Sequence, residues 1–599
     1  MRRLIFTSSF LPRARGDYEY STLDILLRDN KPDVTDIRGV GSPNFVGNRF
    51  QFFFFGQDDW KIRPNFTLNL GLRYEFANLP RDAASQELNS LSSVPGVIEF
   101  NRPKTDRNNF APRIGFAYSP SSENSVGRFL FGSQGESSIR ANFSVSHFVN
   151  FQNLLLLNLP PQFAQENNGG GPNTSFLQSG GIPNVLLPSN TPALARAATS
   201  SIILDQITPY TLSFALSYQR QINQNTGIEF RYLSTRTRKL PVQKQFNAPT
   251  VSAADQIIPT FYSRPTAAQL AGLPTFLDVV NRPTVGIPAL FDYGFGDNVV
   301  TTGFPNIGKS WYDGASVSLT RRFSRSLGFT AAYTFSKTLD NATNELNTSA
   351  LNPRRAQDAF NIEDEKGLSA LDVPHRFVMS FNYDFSVFDK IQNPVGRLFL
   401  TGFQLNGIFQ IQSGQPITIR SGVDSNVNFD VAGDRALFNP NGTPGTSSRV
   451  CGLDANGNFL APGGFFSPGT VTTDINQCAL GGYGPINAVA YLVVNPDAQF
   501  IQRGFLAAGT TIGRNTFRTR AFNSTDIVIL KNTRFGSDNR FNLQIGAEIS
   551  DLFNQRPQTV FGVGAQTAAF GIAGNANFND YSIGNFAGRQ ITMRAKFIF

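Results

Sequence analysis

The sequence predicts an all-β chain, a transmembrane antiparallel β-barrel that is partial and has roughly 13 to 14 strands. Three observations lead there. Side chains alternate between apolar and polar over runs of about ten residues, long and short links alternate between those runs, and the apolar residues are of the strand-forming kind.

Composition sets the first bound. The 599 residues include 57 Phe and 15 Tyr but only 3 Met, together with 53 Gly, a mixture that suits strands and turns rather than helices. No window holds the roughly 18 uninterrupted apolar residues that a spanning helix requires, so a helical membrane protein is excluded. The balance is basic, 52 Lys and Arg against 43 Asp and Glu. A nucleic-acid partner would call for that charge on one face. Instead Arg73, Arg113, Arg140 and Arg231 each stand singly on the polar side of a different run, where a water-filled lumen would solvate them.

Along the chain, residues 1–47 are poorly defined. MRRLIFTSSFL has two arginines and a short apolar run like the opening of a signal peptide, but Thr7, Ser8 and Ser9 interrupt it and no small-residue cleavage site follows. It reads as a broken strand at a truncated start. Residues 48–599 read as the barrel domain. FQFFFFGQDDWKIRP, closing on Trp60, is followed after Pro64 by NFTLNLGLRYEFA. In the second run Phe66, Leu68, Leu70, Leu72, Tyr74 and Phe76 point one way, while Thr67, Asn69, Gly71, Arg73 and Glu75 point the other. Such a strand lies between oil and water, with Trp60 and the terminal aromatics as an interfacial belt. Exchanging Leu70 for Arg is expected to impair assembly, and exchanging Arg73 for Ala to leave it nearly intact.

Further runs repeat the pattern. Ile114, Phe116 and Tyr118 share a face, as do Ile139, Ala141, Phe143 and Val145. Tyr210, Leu212, Phe214, Leu216 and Tyr218 lead through INQNTG into Ile228, Phe230 and Tyr232, with Glu229 and Arg231 opposite. Ala315 to Leu319 turns near Arg325 into Leu327 to Phe335. Phe377 to Phe385 turns near Gln392 into Phe399, Phe403, Leu405, Phe409 and Ile411. Ser421 to Arg520 forms the longest polar excursion, and Asn523 to Arg534, Phe541 to Ile549 and Gln590 to Phe599 complete the set. Long excursions after Ala77, Phe148, Arg238, Leu339, Gly422 and Phe553 alternate with short links near Pro64, Gln224, Arg325, Gln392 and Ser537. Outer-membrane barrels have this asymmetry, with short periplasmic turns and long outside loops. The last strand puts Ile591, Met593, Ala595, Phe597 and Phe599 on one side, and Glu548 and Arg594 belong to the polar sides of the final two runs.

Six ordered blocks carry a family resemblance: FFGQDDWKIRPNFTLNLGLRYEF, YDGASVSLTRRFSRSLGFTAAYTFSKTLDN, DVPHRFVMSFNY, QIQSGQPIT, GRNTFRTRAFNSTDIVILKNTRFG and FNLQIGAEISDLFNQRP. They resemble the barrel half of TonB-dependent outer-membrane receptors, especially the Oar-like group, over about residues 48 to 599. The resemblance implies a cell outer membrane location in a Gram-negative bacterium and uptake of a scarce solute. It also implies contact with membrane lipid and with the barrel assembly machinery, for which the terminal Phe599 strand looks like the signal. Such transporters are plugged barrels of about 22 strands. No TonB box or plug is found in the sequence, so the chain reads as a fragment that would meet TonB only through a missing N-terminal part. The other functional reading is a passive barrel serving as porin, adhesin or surface scaffold.

Sharper motifs resolve into loops. GFPNIGKS, Gly303 to Ser310, matches a phosphate-binding loop by letter, but an alternating run follows where the mechanism needs a helix. DANGNF, Asp454 to Phe459, places Phe459 where a calcium loop needs Gly and reads as a solvated turn. His147 and His375 are too few and too far apart for a zinc set, and His375 reads as a barrel-rim residue. Asp58 and Asp59 read as marking the water boundary. No nucleophile, base and orienter can be assembled, so neither an enzyme nor a cofactor is expected. Cys451 and Cys478 permit one disulfide in an oxidising compartment, two free thiols being the other reading.

Overall fold

The computed structural model describes residues 2–599 except 6, 10–12, 21, 34, 41–43, 149–162, 167–174, 184–190, 200, 249–255, 283–289, 291–292, 296–300, 325, 343–354, 386–390, 392, 429–432, 464–466, 479, 481–483, 519–520, 537–539 and 555–587. Phe6, Phe10, Leu11, Arg325, Gln392 and Ser537, which the sequence reading placed in the opening run and in short links, lie outside the described residues.

Alternation along the chain produces one long meander. Its strands are β1 (Arg2–Leu4), β2 (Arg49–Arg63), β3 (Phe66–Ala77), β4 (Phe110–Tyr118), β5 (Ser137–His147), β6 (Tyr210–Asn223), β7 (Thr226–Leu240), β8 (Gly308–Ser324), β9 (Leu327–Asp340), β10 (His375–Asp384), β11 (Phe403–Gln412), β12 (Phe522–Phe535), β13 (Phe541–Ser550) and β14 (Gln590–Ile598). Each pairs antiparallel with its neighbours in this order, and the short Gly367–Leu368 strand adds to β9 to complete a 15-stranded sheet. Thirteen long strands and the short β1 match the expected number. Among the described residues β14 does not pair with β1, so the sheet is open at both edges.

Register fixes which residues share a face. Leu70, Ile114, Phe143 and Phe214 stand directly opposite one another across four strands, and all are exposed, with 40% of Leu70 and 51% of Ile114 accessible. Gly71, Arg113, Ser144 and Ser213 form the adjacent row on the other face. Cross-strand rings line the apolar side: Tyr74 and Phe110 lie 4.9 Å apart, Tyr218 and Phe230 6.3 Å, and Phe541 and Phe597 5.8 Å. Each such pair stabilises its hairpin by roughly 0.2–1 kcal/mol. A sheet of fourteen strands with an apolar side of this kind exceeds the few hundred Å² of patch that a water-facing surface carries, so this face suits lipid. No helix among the described residues is long and apolar enough to cross a membrane, which says nothing of crossing by strands.

The link pattern is strict. The connections after β2, β4, β6, β8, β10 and β12 are short, and those after β3, β5, β7, β9, β11 and β13 are long. Phe399, read from sequence as strand, lies instead in a helix, Pro394–Leu400, and a second helix, Ser125–Phe131, occupies the link between β4 and β5. Residues 17–40, without period in the sequence, form strands Asp17–Glu19 and Thr35–Val40, which join Phe163–Glu166 in a three-stranded sheet.

The largest departure concerns the long excursions. The described residues between 421 and 518, read from sequence as a polar excursion, form the main part of a folded cap. Val450–Leu453, Phe459–Ala461, Thr470–Thr472 and Ala490–Val493 form a sheet that recruits Thr260–Phe261 from the link between β7 and β8. Its dry core joins Ile258, Phe276 and Val279 to Val423, Leu437, Val450, Tyr491, Ile501 and Phe505. The segments VCGL, AYLV and AQFI are too short to show a period, so their burial was hidden in sequence.

Candidate functional site

The polar face of β3 to β7 holds a recess of about 640 Å³. Arg113, Arg140, Glu229 and Arg231 all line it, so the structure gathers four polar residues that the sequence scattered over three runs. Small side chains on the same face make the room: Gly71, Gly115, Ala117, Ala215 and Ser217. Arg140 and Arg231 share a row with Ser217 between them, which puts their backbones about 10 Å apart at the usual strand spacing. Arg113 lies opposite Ser144, about 13 Å further along the strands.

The charges differ in their partners. Arg231 Nη2 reaches Glu229 Oε1 at 2.8 Å. Arg140 Nε donates to Ser138 Oγ at 3.1 Å, and neither Arg140 nor Arg113 has a carboxylate within ion-pair distance among the described residues. The recess therefore carries an excess of positive charge, which draws anions most strongly where low-dielectric walls focus the field. Arg73 and Glu75 lie outside it. Arg73 Nε pairs with Glu75 Oε1 at 2.9 Å, its guanidinium stands 4.9 Å over the Phe53 ring, and Glu75 is only 8% exposed. Glu548 and Arg594 form an ion pair on the polar face of β13 and β14, far along the sheet from the recess.

On the apolar face, register places Trp60 opposite Leu68, and Phe66, Leu70, Leu72, Tyr74, Phe76, Tyr210 and Tyr218 share that side. Ile591, Met593, Ala595 and Phe597 face Ile549, Ala547, Ile545 and Leu543 there, and Phe599 stacks 6.3 Å from Phe597. Asp59 and Asp58 part company. Asp59 accepts from Asn69 Nδ2 on the polar face, whereas Asp58 stands opposite Leu70 on the apolar face, inside the band rather than at its edge.

Above the sheet, the cap is tied to the rim by buried charges that sequence reading missed. Arg514, with a side chain 2% exposed, pairs with Asp340 at the end of β9 and lies 3.7 Å from Glu365 Oε2. Glu365 also accepts from Arg435 Nη2 at 3.2 Å, and Arg518 pairs with buried Asp372. Cys451 and Cys478 are joined by a disulfide, with Cα atoms 5.1 Å apart. Tyr491, wholly buried, donates its hydroxyl to the Phe505 carbonyl at 2.9 Å, and burial pushes its ionisation upward. Asp454 Oδ1 accepts from the Asn456 and Asn458 amides at 2.9 and 2.8 Å, closing a hairpin turn. His375 begins β10, with Tyr333 Oη 2.8 Å from its Nδ1. Gly303 ends a two-residue strand, Thr302–Gly303, and Gly308 begins β8, so no helix lies between Gly308 and Ser324. Among the described residues no group of three His, Cys, Asp or Glu side chains is placed to hold a metal ion.

A meander with an apolar band on one face, a polar charged recess on the other and links of alternating length defines a β-barrel protein of the bacterial outer membrane. Residues 13–591 match the family described as outer membrane beta barrel domain, and the chain belongs to that family. No curated protein matches it. Among solved structures it is similar to the outer membrane transporter YddB from Escherichia coli, with 10% identity, 88% of this chain and 44% of that one covered, and a TM-score of 0.39. It is similar also to the FrpB iron transporter from Neisseria meningitidis, with 10% identity, 91% and 45% covered, and a TM-score of 0.37. A mutant of the ferric enterobactin receptor PfeA from Pseudomonas aeruginosa matches at 9% identity, with 98% and 49% covered and a TM-score of 0.39. The chain thus spans about half the length of the solved structures it matches or less.

Proposed function

We propose that this chain is the barrel portion of a TonB-dependent outer-membrane receptor that takes up a scarce solute. The observation that carries the reading is the presence, on one sheet, of a folded cap of long loops and of an arginine-lined recess on the polar face. The cap offers a surface for capture and the recess a place along the path where an acid-bearing solute is held. The six ordered sequence blocks support the receptor class over a passive one. In the resembled family TonB acts through a plug and a TonB box ahead of the barrel, so the test uses the whole gene.

Growth and radiolabelled uptake are measured on limiting siderophore, oligosaccharide and peptide sources, with and without the gene, in strains with and without TonB. Uptake lost on deleting either one supports the receptor. Uptake that needs this gene but persists without TonB supports the passive porin reading, and equal growth in all strains overturns both as transport functions.

A further inference from the structure

Two of the short links carry the same miniature element. Asn124-Ser-Val-Gly-Arg-Phe-Leu-Phe and Asn393-Pro-Val-Gly-Arg-Leu-Phe-Leu each form a single short helix, Ser125–Phe131 and Pro394–Leu400. Each is capped by its Asn. The Gly127 amide donates to Asn124 Oδ1 at 2.6 Å, and the Val395 and Gly396 amides donate to Asn393 Oδ1 at 2.9 and 3.2 Å. Each is closed by a glycine in the left-handed region, Gly132 at φ 72° and Gly402 at φ 76°. A Cβ on Gly132 would collide with the Arg220 guanidinium, and one on Gly402 with the Asn532 carbonyl, so both glycines let the sheet come close beneath the helix end.

The side of the sheet on which the helices sit follows from their tethers. Tyr218 donates its hydroxyl to the Leu130 carbonyl, and Arg220 donates to the Arg128 carbonyl at 3.4 Å while pairing with Glu136 at 2.9 Å. Lys531 Nζ donates to the Thr401 carbonyl, one residue beyond the second helix. By register Tyr218 lies opposite Ile139 and Phe230, Arg220 opposite Ile228, and Lys531 opposite Phe403 and Ile545. All three tethers therefore rise from the apolar face. The helices carry exposed apolar side chains there: Val126, Phe129 and Leu130 on one, Val395, Phe399 and Leu400 on the other, with Phe129 83% and Phe399 65% accessible. A helix this short does not hold itself together in water, and an apolar surface continuous with the lipid-suited face selects lipid as its cover.

We propose that these two helices are interfacial anchors that insert into the phospholipid of the periplasmic leaflet, one between β4 and β5 and one between β10 and β11. Standing six strands apart, they fix the depth and tilt of the barrel at two separate points of its lower rim. The proposal rests on the outer-membrane barrel reading, and the test separates the two. The full-length chain with Trp60→Phe and Trp311→Phe, reconstituted in phosphatidylcholine vesicles, receives a single reporter, Phe129→Trp, Phe399→Trp or Leu72→Trp. At an interfacial depth of about 5–10 Å, the two helix reporters should emit to the blue of free tryptophan and lose about twofold in intensity in lipid brominated near the carbonyl end of the chain. Leu72→Trp should respond most to bromine near the chain end. Helix reporters that emit as in water and are quenched by soluble iodide, while Leu72→Trp remains lipid-quenched, overturn the anchors and leave the barrel standing. A Leu72→Trp reporter that brominated lipid does not quench overturns the barrel reading and the anchors with it.

Discussion

An arginine placed on the apolar face measures how that face meets lipid, and the structure says where it should hurt most. Counting from Phe66 at the short-link end, each residue of a strand tilted by about 40° climbs about 2.5 Å, so Leu70 stands about 10 Å up and Leu72 about 15 Å up. Both lie within about 3 Å of the middle of an apolar band about 25 Å tall. At that depth Leu72→Arg should cost about 2–4 kcal/mol. The folding equilibrium then falls by about 30- to 700-fold. Leu70→Arg should cost less, because Asp58 stands directly opposite Leu70, whereas Gly56 stands opposite Leu72. Adding Asp58→Ala should therefore raise the cost of Leu70→Arg and leave that of Leu72→Arg unchanged. Arg140→Ala is the polar-face control. Arg73→Ala, the choice from sequence alone, is a poorer one, since it strips the partner from the 8% exposed Glu75. Denaturant midpoints in phosphatidylcholine bilayers and heat-modifiable gel mobility report the outcome. Equal midpoints for Leu72→Arg and wild type, or an Arg140→Ala loss as large as that of Leu72→Arg, would refute the facing of the whole sheet.

Other expectations concern the cap and the links. Cys451→Ser should destabilise the cap by about 3.5 kcal/mol under oxidising conditions, from the chain entropy of a closed loop of 27 residues. Its signature is faster proteolysis within residues 451–478, and a reductant should abolish the difference from wild type. Asp340→Ala leaves the Arg514 guanidinium buried beside one fewer carboxylate and should loosen the cap by about 3–5 kcal/mol, seen as a lower melting temperature for the cap and not for the sheet. Glu136 accepts from the Ser133 amide and from Arg220, which hold its carboxyl below the usual range. The sign follows from that depression: its contribution is present above the ordinary carboxylate value of about 4.3 and is lost as pH falls through the lower folded value. Emission of a Phe129→Trp reporter in micelles should therefore shift on acidification, and Glu136→Gln should remove that step. Identical acid profiles for the two chains would disprove the link.

Periodicity made the sheet legible because lipid and water impose opposite demands on alternate residues, and the facing of Leu68, Leu70 and Leu72 could then be inferred without coordinates. The recess was half legible. Arg113, Arg140, Glu229 and Arg231 were identifiable as polar-face residues, but their convergence depends on which rows meet across β4 to β7, and no single run contains that information. The cap was illegible for a different reason. Its strands are two to six residues long and its core joins positions as distant as Ile258 and Phe505, so the burial leaves no local pattern. Asp58 shows the limit of reading one strand at a time. Its neighbour Trp60 suggested a water boundary, and only the pairing with Leu70 reveals where in the band it lies.

The cap has a consequence for how such a surface can change. Since Phe276 and Val423 share one core and Arg514 reaches across to Asp340, segments from three separate hairpins are bolted together. Grafting a single excursion from a homologous chain would open a gap in the others, so substitutions should be borne most easily at exposed tips such as Ala455 and Asn456, and broader exchange must move the whole lid as one piece.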